Sequence, residues 1–121
     1  MQVFRHLVYE LKKGVRDFML CTLPSEHEGA VKSKLERDNI SYFIQPLKNG
    51  NINVFFGKEE CLSVACKICK DKPLNMLSPE EDFILGTLLG YSLCEQCTRY
   101  NKYCMQYESK SKNTQLVPIS N

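Results

Sequence analysis

The sequence predicts an α+β fold: a small mixed or antiparallel sheet of about three to four strands packed against three to five helices. Three observations carry that expectation. Two β-rich runs flank Lys48-Asn49-Gly50-Asn51, and Asn-Gly supplies the two positive-φ residues that a tight hairpin turn requires. Ser78-Pro79-Glu80-Glu81-Asp82 joins a cap residue, a proline for the first turn and acids at the positive end of a helix dipole. The chain of 121 residues and 14.0 kDa is one domain in size. It can bury roughly two-thirds of its unfolded surface, so it needs neither disulfides nor metal to fold.

Taken in order, residues Gln2–Glu10 read as a strand, with Val3, Phe4, Leu7, Val8 and Tyr9 in imperfect alternation. Lys12-Lys13-Gly14 breaks it, and residues 11–16 form a turn or one helical turn. Phe18–Leu23 reads as a second, largely buried strand that Pro24 ends. Ser25 and Glu28 have the capping-box spacing, in which each side chain satisfies an orphan amide of the first turn. The helix they open runs to about Arg37 with Ala30, Val31 and Leu35 inward, and Asp38-Asn39 stops it. Ile40–Leu47 and Ile52–Phe56 are the arms of the hairpin, with Pro46 facing outward or at a bulge because it cannot donate to a ladder. Gly57 ends the hairpin.

Lys58–Cys69 reads as a helix with Leu62, Ala65, Cys66 and Cys69 on one side, and Asp71–Leu77 as a loop. A last helix is expected from Pro79 to about Tyr107, kinked near Gly90. Ile84, Leu88 and Tyr91 oppose Leu85, Leu89 and Leu93 in its first half, so that half should be central to the fold or to a subunit contact. From Cys94 it becomes one-sided, with Glu95, Arg99 and Lys102 outward. The domain is thus 1–107, and 108–121 is a polar, aperiodic and flexible tail.

Composition excludes several classes of activity. With Gly counted for Tyr, the apolar share stays at 43%, near the globular range of about 45–50% and far from disorder. Sixteen basic and fourteen acidic side chains leave +2, too balanced for a strong nucleic-acid footprint. The longest uncharged run, Phe83–Cys94, is too short for a membrane span of roughly 18 residues, and Arg5 and Glu10 interrupt the first apolar stretch where a signal peptide would need none. Seven cysteines are an odd number and too sparse for a secreted disulfide scaffold. A cytoplasmic protein with reduced thiols is the expectation.

Those thiols are the main chemical lead. Cys66-Lys-Ile-Cys69 and Cys94-Glu-Gln-Cys97 are two CxxC pairs separated by residues 70–93. Zinc takes four thiolates in a tetrahedron and an iron–sulfur cluster could use the same set, so Cys66, Cys69, Cys94 and Cys97 are the conditional metal ligands. Zinc pairs usually sit on Gly-containing turns, however, and both pairs here fall inside helical patterns. There an i,i+3 spacing simply places both thiols on the inner face, so structural thiols are the first choice, with no metal and no cofactor. Redox chemistry finds no acid, base or cis-proline signal to support it. His6 and His27 lack a nucleophile or carboxylate at a telling distance. Glu80, Glu81 and Asp82 complement a helix start better than they hold a metal, and Lys67, Lys70 and Lys72 read as a solvated face. No Walker loop, GxGxxG, GxSxG or HExxH is present. No catalytic residues emerge, and the chain reads as a non-enzyme.

On a 100° wheel Phe83, Gly86, Gly90, Cys94, Cys97, Asn101 and Cys104 share one stripe, mostly of small residues. Two helix-interior glycines each cost about 1 kcal/mol against Ala, which points to a closely approaching backbone, with a kink as the alternative.

The run Glu80-Glu81-Asp82-Phe83-Ile84-Leu85-Gly86-Thr87-Leu88-Leu89-Gly90-Tyr91, together with Ile52–Gly57 and the opening Val3-Phe4-Arg5-His6, resembles a family of small bacterial proteins catalogued as a domain of unknown function. The resemblance spans about residues 1–105. It implies a small α+β fold that forms a homodimer, and it implies no activity and no catalytic residues. A looser implication is a gene neighbourhood shared with a flavodoxin. The functional expectation is therefore a small cytoplasmic, non-enzymatic homodimeric interaction module that binds neither nucleic acid nor membrane. The alternatives are a zinc or iron–sulfur protein through the two CxxC pairs and a flavodoxin-associated accessory factor.

Overall fold

In a computed structural model, residues 1–110 are described, with side chains to Glu108. Three antiparallel strands, β1 (Phe18–Pro24), β2 (Ser41–Pro46) and β3 (Asn51–Gly57), lie in the order β1-β3-β2. Helices α1 (Gln2–Lys12) and α2 (Glu28–Arg37) cover one face, while α3 (Glu59–Cys69) and α4 (Pro79–Leu88) cover the other. The last helix, α5 (Leu93–Lys110), packs on α4. The α+β class and a sheet of three strands are as the sequence predicts.

Period-two alternation sorts each strand between the two layers. Met19, Cys21 and Leu23 of β1 and Ile52, Val54 and Phe56 of β3 meet Phe4, Val8, Val31 and Leu35. Phe18 and Phe55 face the other way onto Ala65, Cys69, Leu85 and Leu89. With both faces covered, the central strand β3 is buried from Ile52 to Gly57. Pro24 and Pro46 end the two edge strands, where a missing donor is harmless.

The N-terminal strand expected over 2–10 is a helix. Phe4, Leu7, Val8 and Leu11 recur at i, i+3, i+4 and i+7, and this stripe packs on the sheet. Burial of a helical face outweighs the β propensity of Val3, Val8 and Tyr9. At the start of α2 the Ser25–Glu28 box does not form. Ser25–His27 is a 3-10 turn with no side-chain cap, and Ala30 is exposed while Val31 and Leu35 are fully buried. Asn39 does stop α2, in the left-handed region at φ 56°.

The hairpin turn also differs. Only Gly50 has positive φ, at 86°, and Leu47 N–H donates to Asn51 O at 2.9 Å. The loop is thus the three-residue form that ends in a single left-handed glycine, and the Asn49 side chain accepts from Asn51 N–H at 3.0 Å instead of adopting positive φ itself. Gly57 matters more than a strand end. At φ 145° it lies so close to the backbone of Asp17 and Phe18 that a Cβ would collide with Asp17 O.

The long last helix is two helices. Gly90, at φ 83°, reverses the chain after α4, and Ser92 opens α5 by accepting from Glu95 N–H at 3.1 Å. The stripe drawn through Gly90 therefore does not exist as one surface. Gly86 is the close approach, against the Gln96 side chain of α5, whereas nothing lies within 4 Å of a Cβ at Gly90. At its far end α5 runs to Lys110, three residues past the expected domain end, and the remainder of the tail expected from 108 lies outside the described residues.

Candidate functional site

The two CxxC pairs take opposite orientations. On α3, Cys69 is fully buried beneath the sheet and Cys66 is half-buried, as the i,i+3 spacing implies. Burial pushes the Cys69 thiol up to about 11, and the nearby Glu81 charge adds to the rise, so it stays protonated at neutral pH. On α5, Cys94 and Cys97 are both exposed, contrary to the inner-face expectation. The turn at Gly90 re-phases the helix, and its inner side is made by Gln96, Tyr100 and Tyr103 instead. All seven cysteines are free, and no group of three or more His, Cys, Asp or Glu side chains comes together among the described residues.

Other candidates have structural partners. Glu81 completes a capping box with Ser78, accepting from Ser78 N–H at 2.9 Å while Ser78 Oγ accepts from Glu81 N–H at 3.1 Å. The Lys72 ammonium donates to both Glu81 oxygens, at 2.7 and 2.8 Å. These contacts hold the Glu81 carboxyl below its ordinary range, Lys72 first and the Ser78 amide second. Asp82 takes a bidentate guanidinium from Arg99 at 2.7 and 3.0 Å, which draws the expected outward residue Arg99 onto α4. Glu80 accepts from the Tyr100 hydroxyl at 2.9 Å. The acidic start of α4 is therefore the seat of α5. Of the histidines, His6 pairs with Glu10 on the exposed side of α1 at 3.1 Å, and His27 ends the 3-10 turn before α2.

A polar ladder went unread in the sequence. Thr22, Asn53 and Gln45 lie in register across all three strands. Thr22 Oγ1 donates to Asn53 Oδ1 at 2.6 Å, and Asn53 Nδ2 to Gln45 Oε1 at 2.9 Å. Gln45 Nε2 then donates to the carbonyls of Cys69 and Lys72 at 3.0 and 2.8 Å. These groups satisfy one another, so the ladder fastens the end of α3 to the sheet. Only the cross-strand register could have revealed it.

Several large apolar side chains are exposed over the surface, and one group of them sits at the α4–α5 corner. Ile84, Tyr91 and Leu93 are 42%, 54% and 71% exposed. Leu88, half-buried, lines a shallow depression with Cys61 and Val15, and Val15 itself is 65% exposed. Leu85, Gly86 and Leu89 take the opposite side of α4 into the core. No helix among the described residues is long and apolar enough to cross a membrane. No curated protein matches the sequence. Residues 2–103, from α1 well into α5, match the family model described as "Protein of unknown function (DUF2023)", and the chain belongs to that family.

Proposed function

We propose that this chain is a small cytoplasmic, non-enzymatic interaction module that works as a homodimer, with Ile84, Leu88 and Tyr91 at the subunit contact. The observation that carries the reading is the uncovered apolar corner, where Ile84 and Leu88 stand one turn apart on a helix whose other side is already buried. A two-fold self-contact is the commonest way for a small protein to cover such a surface. The carboxylates most suggestive of chemistry, Glu80, Glu81 and Asp82, are engaged in helix packing, which supports a binding role over a catalytic one.

Light scattering at tens of micromolar tests this. The wild type should run as a dimer. Ile84→Asp and Tyr91→Asp, at positions exposed in the single chain, should shift it to monomer while leaving the melting profile of the monomer intact. A wild type that is monomeric at that concentration overturns the reading. Metal analysis of the same preparation addresses the zinc or iron–sulfur alternative: about one metal atom per chain, lost in Cys66→Ser/Cys97→Ser, would favour it over an interaction module. A flavoprotein retained on the dimer through purification would extend the module toward the flavodoxin-associated role.

A further inference from the structure

We propose that the groove between α1 and α2, on the other layer from the α4–α5 corner, docks an acidic amphipathic segment of a partner protein. The inference goes beyond the dimer and does not need it. The groove has a volume of about 690 Å³. Five cations line it and no carboxylate does: Arg5, Lys12 and Lys13 from α1, and Lys34 and Arg37 from α2. Sixteen Lys and Arg are spread over a chain of net charge +2, so five of them around one groove is a local concentration that the composition hides.

Part of that charge is already used. Asp38 lies 3.0 Å from Lys34 Nζ and 3.4 Å from Lys12 Nζ at one end of the groove. Among the described residues Arg5, Lys13 and Arg37 have no carboxylate partner; Lys13 rests over the Tyr9 ring at 5.4 Å. Unpaired cations around a concave surface raise the local concentration of anions and steer their approach.

The apolar part of the lining says which anion. Met1, Tyr9 and Ala30 supply the accessible apolar lining, Tyr9 at 58% exposed, above Phe4 and Val8, which are themselves buried in the core. A nucleic-acid backbone brings phosphates but no aliphatic side chains to cover Met1, Tyr9 and Ala30. An acidic segment with apolar residues on one side brings both, and apolar anchors in a groove with charges at the rim are the recurring form of helix-in-groove recognition. After Glu108 the sequence of this chain carries Lys110 and Lys112 and no acid, while Glu80, Glu81 and Asp82 are already bound to Tyr100, Lys72 and Arg99.

Fluorescence anisotropy with a labelled peptide of Glu and Leu at helical spacing is the test, run on the whole chain beside polyglutamate and a DNA duplex of equal charge. The Glu/Leu peptide should bind the most tightly. Arg5→Glu/Arg37→Glu should weaken it by about tenfold or more, since removing rim charges slows association. Ala30→Trp, which fills the groove and keeps every cation, should weaken it comparably. Unchanged melting temperatures and an unchanged oligomeric state keep these losses separate from the dimer contact. The proposal is overturned if the peptide fails to bind at about 100 µM. It is equally overturned if polyglutamate or DNA binds as tightly, or if either variant binds like wild type.

Discussion

Gly86 shows how one absent side chain can join two helices. It stands inside α4, where Gly is unfavourable by about 1 kcal/mol relative to Ala, yet a Cβ there would occupy the space of the Gln96 amide. Gln96 is 2% exposed, and its Nε2 lies 3.4 Å from Phe83 O, so it cannot swing into solvent without losing buried contacts. Gly86→Ala should therefore destabilise the protein by about 1–3 kcal/mol through overpacking, despite its better helix propensity. Chemical denaturation of Gly86→Ala, Gln96→Ala and the double variant checks this. The double variant should be more stable than the sum of the singles predicts, because the second change makes room for the first. Additive effects would show that the two residues are not coupled. Gly86 and Gly90 look alike in the sequence, four residues apart. Only the fold separates them: one is a contact, and the other supplies φ 83° to a turn with open space around it.

Among the elements, α4 was the most legible and α1 the least. Ser78, Pro79 and the acids after them mark the start of α4, and the Ser78–Glu81 spacing forms a capping box there although the same spacing at Ser25 and Glu28 does not. A further Ser-x-x-Glu, Ser92 with Glu95, marks the restart of α5, where Ser92 Oγ accepts from Glu95 N–H, but an apolar run straight through Gly90 masked it. In α1 the pattern of Phe4, Leu7, Val8 and Leu11 was present, and β-prone residues between them concealed the period. Electrostatics at the α4 cap make a further prediction. The Glu81 carboxyl is held below its ordinary range by Lys72 and Ser78, and that of Asp38 by the Lys34 ammonium. A carboxyl depressed in the folded state stabilises the fold above its unfolded pKa, near 4, and that contribution is lost as pH falls through the lower folded value. The melting temperature should thus decline on acidification from about pH 5 to pH 3. Glu81→Gln, already less stable at neutral pH, should decline less steeply over that window. A parallel decline would place the acid-labile groups elsewhere.

At the scale of the whole molecule, seven free thiols are distributed by the layers of the fold, and their reactivity should report those layers. The sequence made the cysteines conspicuous as pairs, yet spacing could not say which side of a helix each pair occupies. That depends on where the helix starts, and the turn at Gly90 decides it for Cys94 and Cys97. The same limit applies to the groove: its cations come from two helices, one of which reads as a strand in the sequence. Cys94 and Cys97 are exposed on α5, whereas Cys21 and Cys69 are buried on opposite faces of the sheet, with burial raising both thiols above the ordinary range. Thiolate is the reacting form, so these two are protected both by access and by protonation. An aromatic disulfide reagent at pH 8 should label Cys94 and Cys97 rapidly in the native protein. The half-buried Cys61, Cys66 and Cys104 should follow more slowly, through local opening. Cys21 and Cys69 should react only as fast as the whole sheet opens, in step with each other and with loss of the far-ultraviolet signal, because β3 and its two neighbours form a single sheet between the two layers. Labelling followed by peptide mapping distinguishes the seven sites. If Cys69 were labelled well before Cys21, the α3–α4 layer would open independently of the α1–α2 layer, and the two cores would not unfold as one unit.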